Sequence, residues 1–158
     1  MAQKNMSNQN LFAALRAAFP SDLDAIAVET VEADGPGLRY SWRDLDRATA
    51  MMANLLASLA LPEGSRIAVQ VEKSVEAMVL YLASLRAGYV FLPLNTAYMS
   101  AEIEYFIGNA EPAVVVCSPK NFGWVSKIAF SAGTQHVFTL GDDRSGSLLE
   151  RAAHCSDQ

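Results

Sequence analysis

The stretch Arg66–Ala110, RIAVQVEKSVEAMVLYLASLRAGYVFLPLNTAYMSAEIEYFIGNA, constrains the fold more than any other part of the chain. Arg66 to Val71 is an almost continuous apolar run, the mark of a strand buried on both faces. Ser74 is placed to cap a helix over Val75–Arg86, and Gly88 to end it. Tyr89–Leu92 reads as the next strand, closed by Pro93, which cannot donate to a ladder. Two strands joined by a helix of this length form a βαβ unit, which implies parallel strands and a right-handed crossover. Ser100 is placed to cap a further helix over Ala101–Asn109, with Glu102 and Glu104 favoured in its first turn by the helix dipole. Glu111-Pro112 breaks that helix, and Ala113–Cys117 reads as a third buried strand.

The flanks extend the same pattern. Leu11, Phe12, Leu15 and Phe19 recur at helical spacing, which predicts a helix over Asn10–Phe19 that stops at Pro20. Ala25–Thr30 and Leu38–Ser41 read as short strands around Ala33-Asp34-Gly35-Pro36-Gly37, and are expected to pair as a hairpin or edge ribbon. Ser41, with Asp44 three residues on, forms a variant capping box opening a helix that runs to about Leu59. Asn121–Phe130 reads as a weaker helix, His136–Leu140 as a fourth strand and Leu148–His154 as a short helix. The expected fold class is α/β, a mostly parallel sheet flanked by helices over residues 10–158, preceded by a loose polar tail at 1–9.

Composition narrows the function. Charged residues are 18% of the chain and hydrophobic ones 51%. The charged share is below the roughly 25% usual for a soluble domain. Either a piece of a larger protein or a well-packed domain with buried strands carries this balance. A net charge of −5 with no Lys/Arg stripe argues against a nucleic-acid surface. No apolar run reaches the roughly 18–20 residues of a membrane span. Met1–Pro20 holds no acid and includes Lys4 and Arg16, as organelle-targeting segments do, but its periodicity favours the amphipathic helix. Cys117 and Cys155 have no metal or redox spacing, and a cytoplasmic setting is expected.

The residues that carry chemistry are few. Neither G-x-x-x-x-G-K-[ST] nor G-x-G-x-x-G occurs. Gly141-Asp142-Asp143-Arg144-Ser145-Gly146-Ser147 has the glycine spacing of the first, but Ser147 stands where lysine is needed and two acids oppose a phosphate, so it reads as a turn. His136 and His154 have no nucleophile setting, and Asp142-Asp143 reads as a solvated turn rather than a metal pair. Ligands of α/β sheets gather beyond the carboxyl ends of strands, where Glu72, Lys73 and Leu94–Tyr98 fall. Lys73 and Arg86 flank the Val75–Arg86 helix, and contact with a ligand competes there with capping and solvation. Lys120 and Lys127 follow the third strand and can meet a phosphate, or stand simply as exposed lysines.

Two segments resemble core motifs of the adenylate-forming (AMP-binding) superfamily. Tyr40-Ser41-Trp42-Arg43-Asp44-Leu45 is similar to its aromatic-Ser/Thr-x-x-Glu-Leu motif, with Asp44 in place of Glu. Leu85-Arg86-Ala87-Gly88-Tyr89-Val90-Phe91-Leu92-Pro93-Leu94-Asn95 resembles its Leu-x-Ala-Gly-x-x-x-x-Pro-Leu/Ile-Asn/Asp motif. Glu72–Ala77 with Leu94–Tyr98 is similar to malonyl-CoA synthetases in particular. The resemblance implies an acid–CoA ligase that uses ATP, Mg²⁺ and CoA and passes through an acyl-adenylate, with malonate as the acid. The phosphate loop, acidic residues and lid lysine of such enzymes lie downstream of the region resembled. The chain is therefore expected to be an inactive N-terminal part that binds none of these cofactors tightly, with no catalytic or metal residue of its own. The resemblance marks Lys120 as a place where CoA phosphate is met. Another ligase of the superfamily, for a fatty or aryl acid, and a non-catalytic complementation module that self-associates through an open sheet edge are the rival readings.

Overall fold

The computed structural model describes residues 10–32 and 35–158. The expected tail at 1–9 and the Ala33-Asp34 part of the first turn lie outside the described residues. Helix α1 (Leu11–Ala17) leads to strands β1 (Ile26–Glu29) and β2 (Arg39–Ser41), then helix α2 (Trp42–Ser58). There follow β3 (Arg66–Gln70), α3 (Val75–Arg86), β4 (Val90–Pro93), α4 (Ser100–Ala110), β5 (Val114–Cys117), α5 (Phe122–Ser131), β6 (His136–Thr139) and α6 (Ser147–Ala152). No helix among the described residues is long and apolar enough to cross a membrane.

Strands β4, β3, β5 and β6 form one parallel sheet in that order. Every residue of β5 is buried, as the unbroken apolar run requires. Alternation along β3 divides the core into two layers. Ile67 and Val69 pack with Leu56 of α2, Leu80 of α3 and Leu148 of α6. Ala68 packs with Ile103 and Ile107 of α4 and with Val125 and Ala129 of α5 on the other face. The step from β3 to β4 runs one way along the sheet, and those from β4 to β5 and β5 to β6 run the other way. Crossovers of one hand that step in opposite directions must lie on opposite faces, so α3 sits on one face and α4 and α5 on the other. Strands β1 and β2 pair antiparallel outside this sheet, with an irregularity at Ala27.

Local sequence accounts for the boundaries. Asp44 accepts the backbone N–H of Ser41 at 2.8 Å while Ser41 Oγ accepts that of Asp44 at 3.1 Å, which closes the capping box at α2. Helix α3 ends at Gly88, whose φ of +81° suits the left-handed residue that closes a helix. Three expectations need correction. Asn10 stands outside α1 as its cap, its Oδ1 accepting the N–H of Phe12 and Ala13, and the helix stops at Ala17 because Pro20 excludes helical geometry just before it. Ser100 lies inside α4 instead of capping it, and Glu102 reaches back to the N–H of Met99. Pro93 belongs to β4, opposite Val69, because on an outer strand its missing donor costs no ladder bond.

Candidate functional site

The sheet order places a switch point between β3 and β5. The chain leaves these neighbours in opposite directions, which opens a crevice beyond their carboxyl ends. Glu72 follows β3 there, Ser118 and Lys120 follow β5, and Asp142 and Asp143 follow β6; together they line a cleft of about 230 Å³. Pro119 starts a short 3₁₀ turn, closed by the Asn121 N–H on Ser118 O, and this turn carries Lys120 outward. The Lys120 ammonium lies 3.5 Å from Glu72 Oε1. The opposite wall is the loop Gly141–Gly146. Asp143 accepts both the N–H and the hydroxyl of Ser145, and these bonds hold its carboxyl below the usual aspartate range. The glycine-spaced segment is thus a closed turn of its own, not a cradle for phosphate.

Other candidates are dispersed. Lys73 is exposed on the β3–α3 connection. Lys127 is exposed on α5, roughly 10 Å along the helix from Lys120 at the helical rise per residue. Arg86 closes α3 at the far end from Ser74 and donates to Asp46 and Thr49, so it ties α3 to α2 and takes no part in the crevice. His136 begins β6 and His154 follows α6. Among the described residues no cluster of His, Cys, Asp and Glu is arranged to hold a metal ion.

Two groups beside the crevice escaped the sequence reading. Gln70, at the end of β3, is 1% exposed. Its Nε2 donates to Asn95 O at 2.9 Å and to Tyr98 O at 3.0 Å, which fixes the β4–α4 connection, while its Oε1 has no partner among the described residues. A lone polar residue in the run RIAVQV was the available signal. The second group is Glu76, whose Oε1 accepts the Tyr40 hydroxyl at 2.8 Å and lies 3.3 Å from Arg144 Nε. Burial first, and then Glu76, raise the Tyr40 phenol above its ordinary pKa. This cluster links β2, the start of α3 and the 141–146 turn, and its three residues are too far apart in sequence for a motif.

Comparison with known proteins agrees with this architecture. The model of the AMP-binding enzyme family matches residues 15–154. The structure of ATP-bound MatB from Rhodopseudomonas palustris superposes with a TM-score of 0.86 and 46% identity, covering 94% of this chain and 28% of that one. A benzoate CoA ligase from Burkholderia xenovorans LB400 shares the fold at a TM-score of 0.77 and 20% identity, covering 93% of this chain and 29% of that one. The medium-chain fatty-acid–CoA ligase of Escherichia coli is 33% identical over 88 residues, 56% of this chain and 15% of that protein. The chain thus spans less than a third of the length of each of these relatives, and it belongs to the AMP-binding enzyme family.

Proposed function

We propose that residues 10–158 form the first part of the N-terminal α/β domain of an ATP-dependent acid–CoA ligase, with malonate as the acid. The overall reaction is malonate, ATP and CoA to malonyl-CoA, AMP and diphosphate, in the cytoplasm. The observation that carries this reading is the 46% identity with MatB across 94% of the chain. The malonyl-CoA synthetase resemblance of Glu72–Ala77 and Leu94–Tyr98 supports the choice of acid over a fatty or aryl one. The groups present supply scaffold and positioning, and the 158 residues alone are expected to be inactive. The described residues offer no set of donors for triphosphate or Mg²⁺.

Lys120 is our proposed contact for a CoA phosphate. As it stands the cleft holds this one cation against Glu72, Asp142 and Asp143, a poor fit for a polyanion. The Lys120–Glu72 pair is exposed, and such pairs contribute about 0–1 kcal/mol, so Lys120 can exchange Glu72 for phosphate at small cost. Self-association is assigned to the outer edge of β4, where Val90 is exposed; the β6 edge is covered in part, since Thr139 donates its N–H to Ser147 Oγ.

The test is a chimera in which residues 10–154 replace the matching segment of R. palustris MatB, assayed beside the isolated chain. Malonate-dependent ATP–pyrophosphate exchange is expected from the chimera and not from the chain alone. Exchange by the isolated chain overturns the claim that it lacks the catalytic parts, and a folded, inactive chimera overturns the ligase assignment. Lys120→Ala in the chimera is expected to raise the KM for CoA and leave the exchange reaction unchanged. In the native polypeptide that carries these residues, a preference for octanoate or benzoate over malonate would remove the malonate assignment.

A further inference from the structure

A second cavity lies away from the crevice. It has a volume of about 620 Å³ and is bounded by α1, the connection after it, and residues of α2 and α3. Small-molecule sites fall between roughly 300 and 1,000 Å³. Phe12, Phe19 and Leu23 give it apolar walls, and Arg16, Asp46 and Arg86 give it a polar one. Arg16 donates through Nε and Nη2 to the two Asp46 oxygens, at 2.8 and 2.7 Å. Arg86 donates through Nη1 to Asp46 Oδ1 and to Asp46 O, both at 2.9 Å, and to Thr49 Oγ1 at 3.1 Å. Its guanidinium lies 5.0 Å from the centre of the Phe12 ring.

Two guanidiniums therefore share one carboxylate, and one positive charge is left over. Nη1 of Arg16 and Nη2 of Arg86 take no part in those bonds. The acids of the neighbouring connection are directed toward Arg43: Asp24 pairs with it, and Asp22 acts on it as well, while Arg16 answers to Asp46. Stapling α1 to α2 and α3 accounts for the Asp46 contacts. It does not account for a surplus cation beside apolar walls and a space of molecular size.

We propose that this cavity binds a small monocarboxylate with an aromatic or branched apolar body. The carboxylate takes the free N–H groups of Arg16 and Arg86, and the body lies against Phe12, Phe19 and Leu23. A carboxylate matches the planar donor fork of arginine, and a single negative charge matches the single surplus positive one.

Phenylacetate is the probe, titrated into the 158-residue chain while the arginine Nε–H signals are followed by NMR. Saturable shifts at Arg16 and Arg86 are expected in the millimolar range, weakening as salt is raised. Phenylacetamide, of the same shape and uncharged, should leave the signals in place. Arg16→Ala should weaken binding at least about fivefold, and Asp46→Asn, which releases both guanidiniums, should tighten it by about the same factor. Arginine signals that ignore phenylacetate overturn the proposal, and so does equal affinity in Arg16→Ala and the unaltered chain. Arg16 is exposed, so its removal leaves the fold intact, and this comparison decides the matter even where Asp46→Asn fails to fold.

Discussion

Gln70 is the residue where the structure makes the sharpest energetic claim. Its amide is buried at the end of β3, with both N–H groups on backbone carbonyls and an oxygen that accepts nothing from the described residues. Replacing it by leucine removes two neutral hydrogen bonds, together about 1–3 kcal/mol. The same change removes the orphaned oxygen, whose desolvation costs about 1–3 kcal/mol, so the two effects largely cancel and Gln70→Leu should lose no more than about 2 kcal/mol. Gln70→Glu keeps the shape and inverts the result. A carboxylate would face two carbonyl oxygens without a donor, and a buried charge costs several kcal/mol, so a loss of at least about 3 kcal/mol is expected near neutral pH. The introduced carboxyl has its pKa raised in the folded state above the unfolded value of about 4.3. Below the unfolded pKa the penalty is therefore absent, and it grows as pH rises from there to the folded pKa. Urea unfolding followed by tryptophan fluorescence, at about pH 7.5 and about pH 4.5, measures both terms. Equal stability of the two variants near pH 7.5, or a pH-independent deficit in Gln70→Glu, would refute this account.

Gly146 has a φ of +119°, and a Cβ there would stand 2.3 Å from Thr139 O, so Gly146→Ala must displace the turn that covers β6. Gly88→Ala meets no neighbour and should lose about 1–2 kcal/mol from its backbone conformation alone; thermal unfolding is expected to rank Gly146→Ala well below it. Asp44→Ala opens the α2 capping box and should cost about 1 kcal/mol near neutral pH. Ser41's backbone N–H and hydroxyl hold the Asp44 carboxyl below its ordinary pKa, so this difference should be present above about pH 4 and vanish as pH falls through the lower folded value; a gap that persists in strong acid would contradict it. Burial pushes the Cys117 thiol up to about 11, so iodoacetamide near neutral pH should reach Cys117 only after denaturant is added, as peptide mapping would show.

The parallel sheet was legible because its signals are local. The nearly continuous apolar run at β3 and the unbroken one at β5, the cap at Ser41 and the stop at Gly88 each act within a few residues, and the bounds of α3 come out as read. Ser100 misled because Ser is a common cap, whereas here the side chain of Glu102 takes the Met99 N–H instead. The spacing that lets Lys73 and Arg86 flank one helix does not show what each meets: the 12-residue helix carries Arg86 roughly 18 Å from Ser74 at the helical rise per residue, where it ties α3 to α2. Gln70 and the Tyr40–Glu76–Arg144 cluster depend on which distant segments meet, and no periodicity reports that.

The distribution of charge adds a constraint on mechanism that neither motifs nor fold supplies. A surface that receives a polyanion needs cations whose charge is not already spent, since bound carboxylates compete for the same donors. At the switch point the reverse holds: Lys120 is matched by Glu72, Asp142 and Asp143 line the same cleft, and Arg144 is turned toward Glu76. Surplus positive charge is also found at Arg16 and Arg86, beside the apolar cavity. A polyanion in this crevice must therefore displace Glu72 from Lys120 or draw further positive charge from outside it. What these residues contribute is position: Gln70 anchors the loop after β4, and the Glu76 cluster anchors the loop after β6 on either side of the β3–β5 crevice.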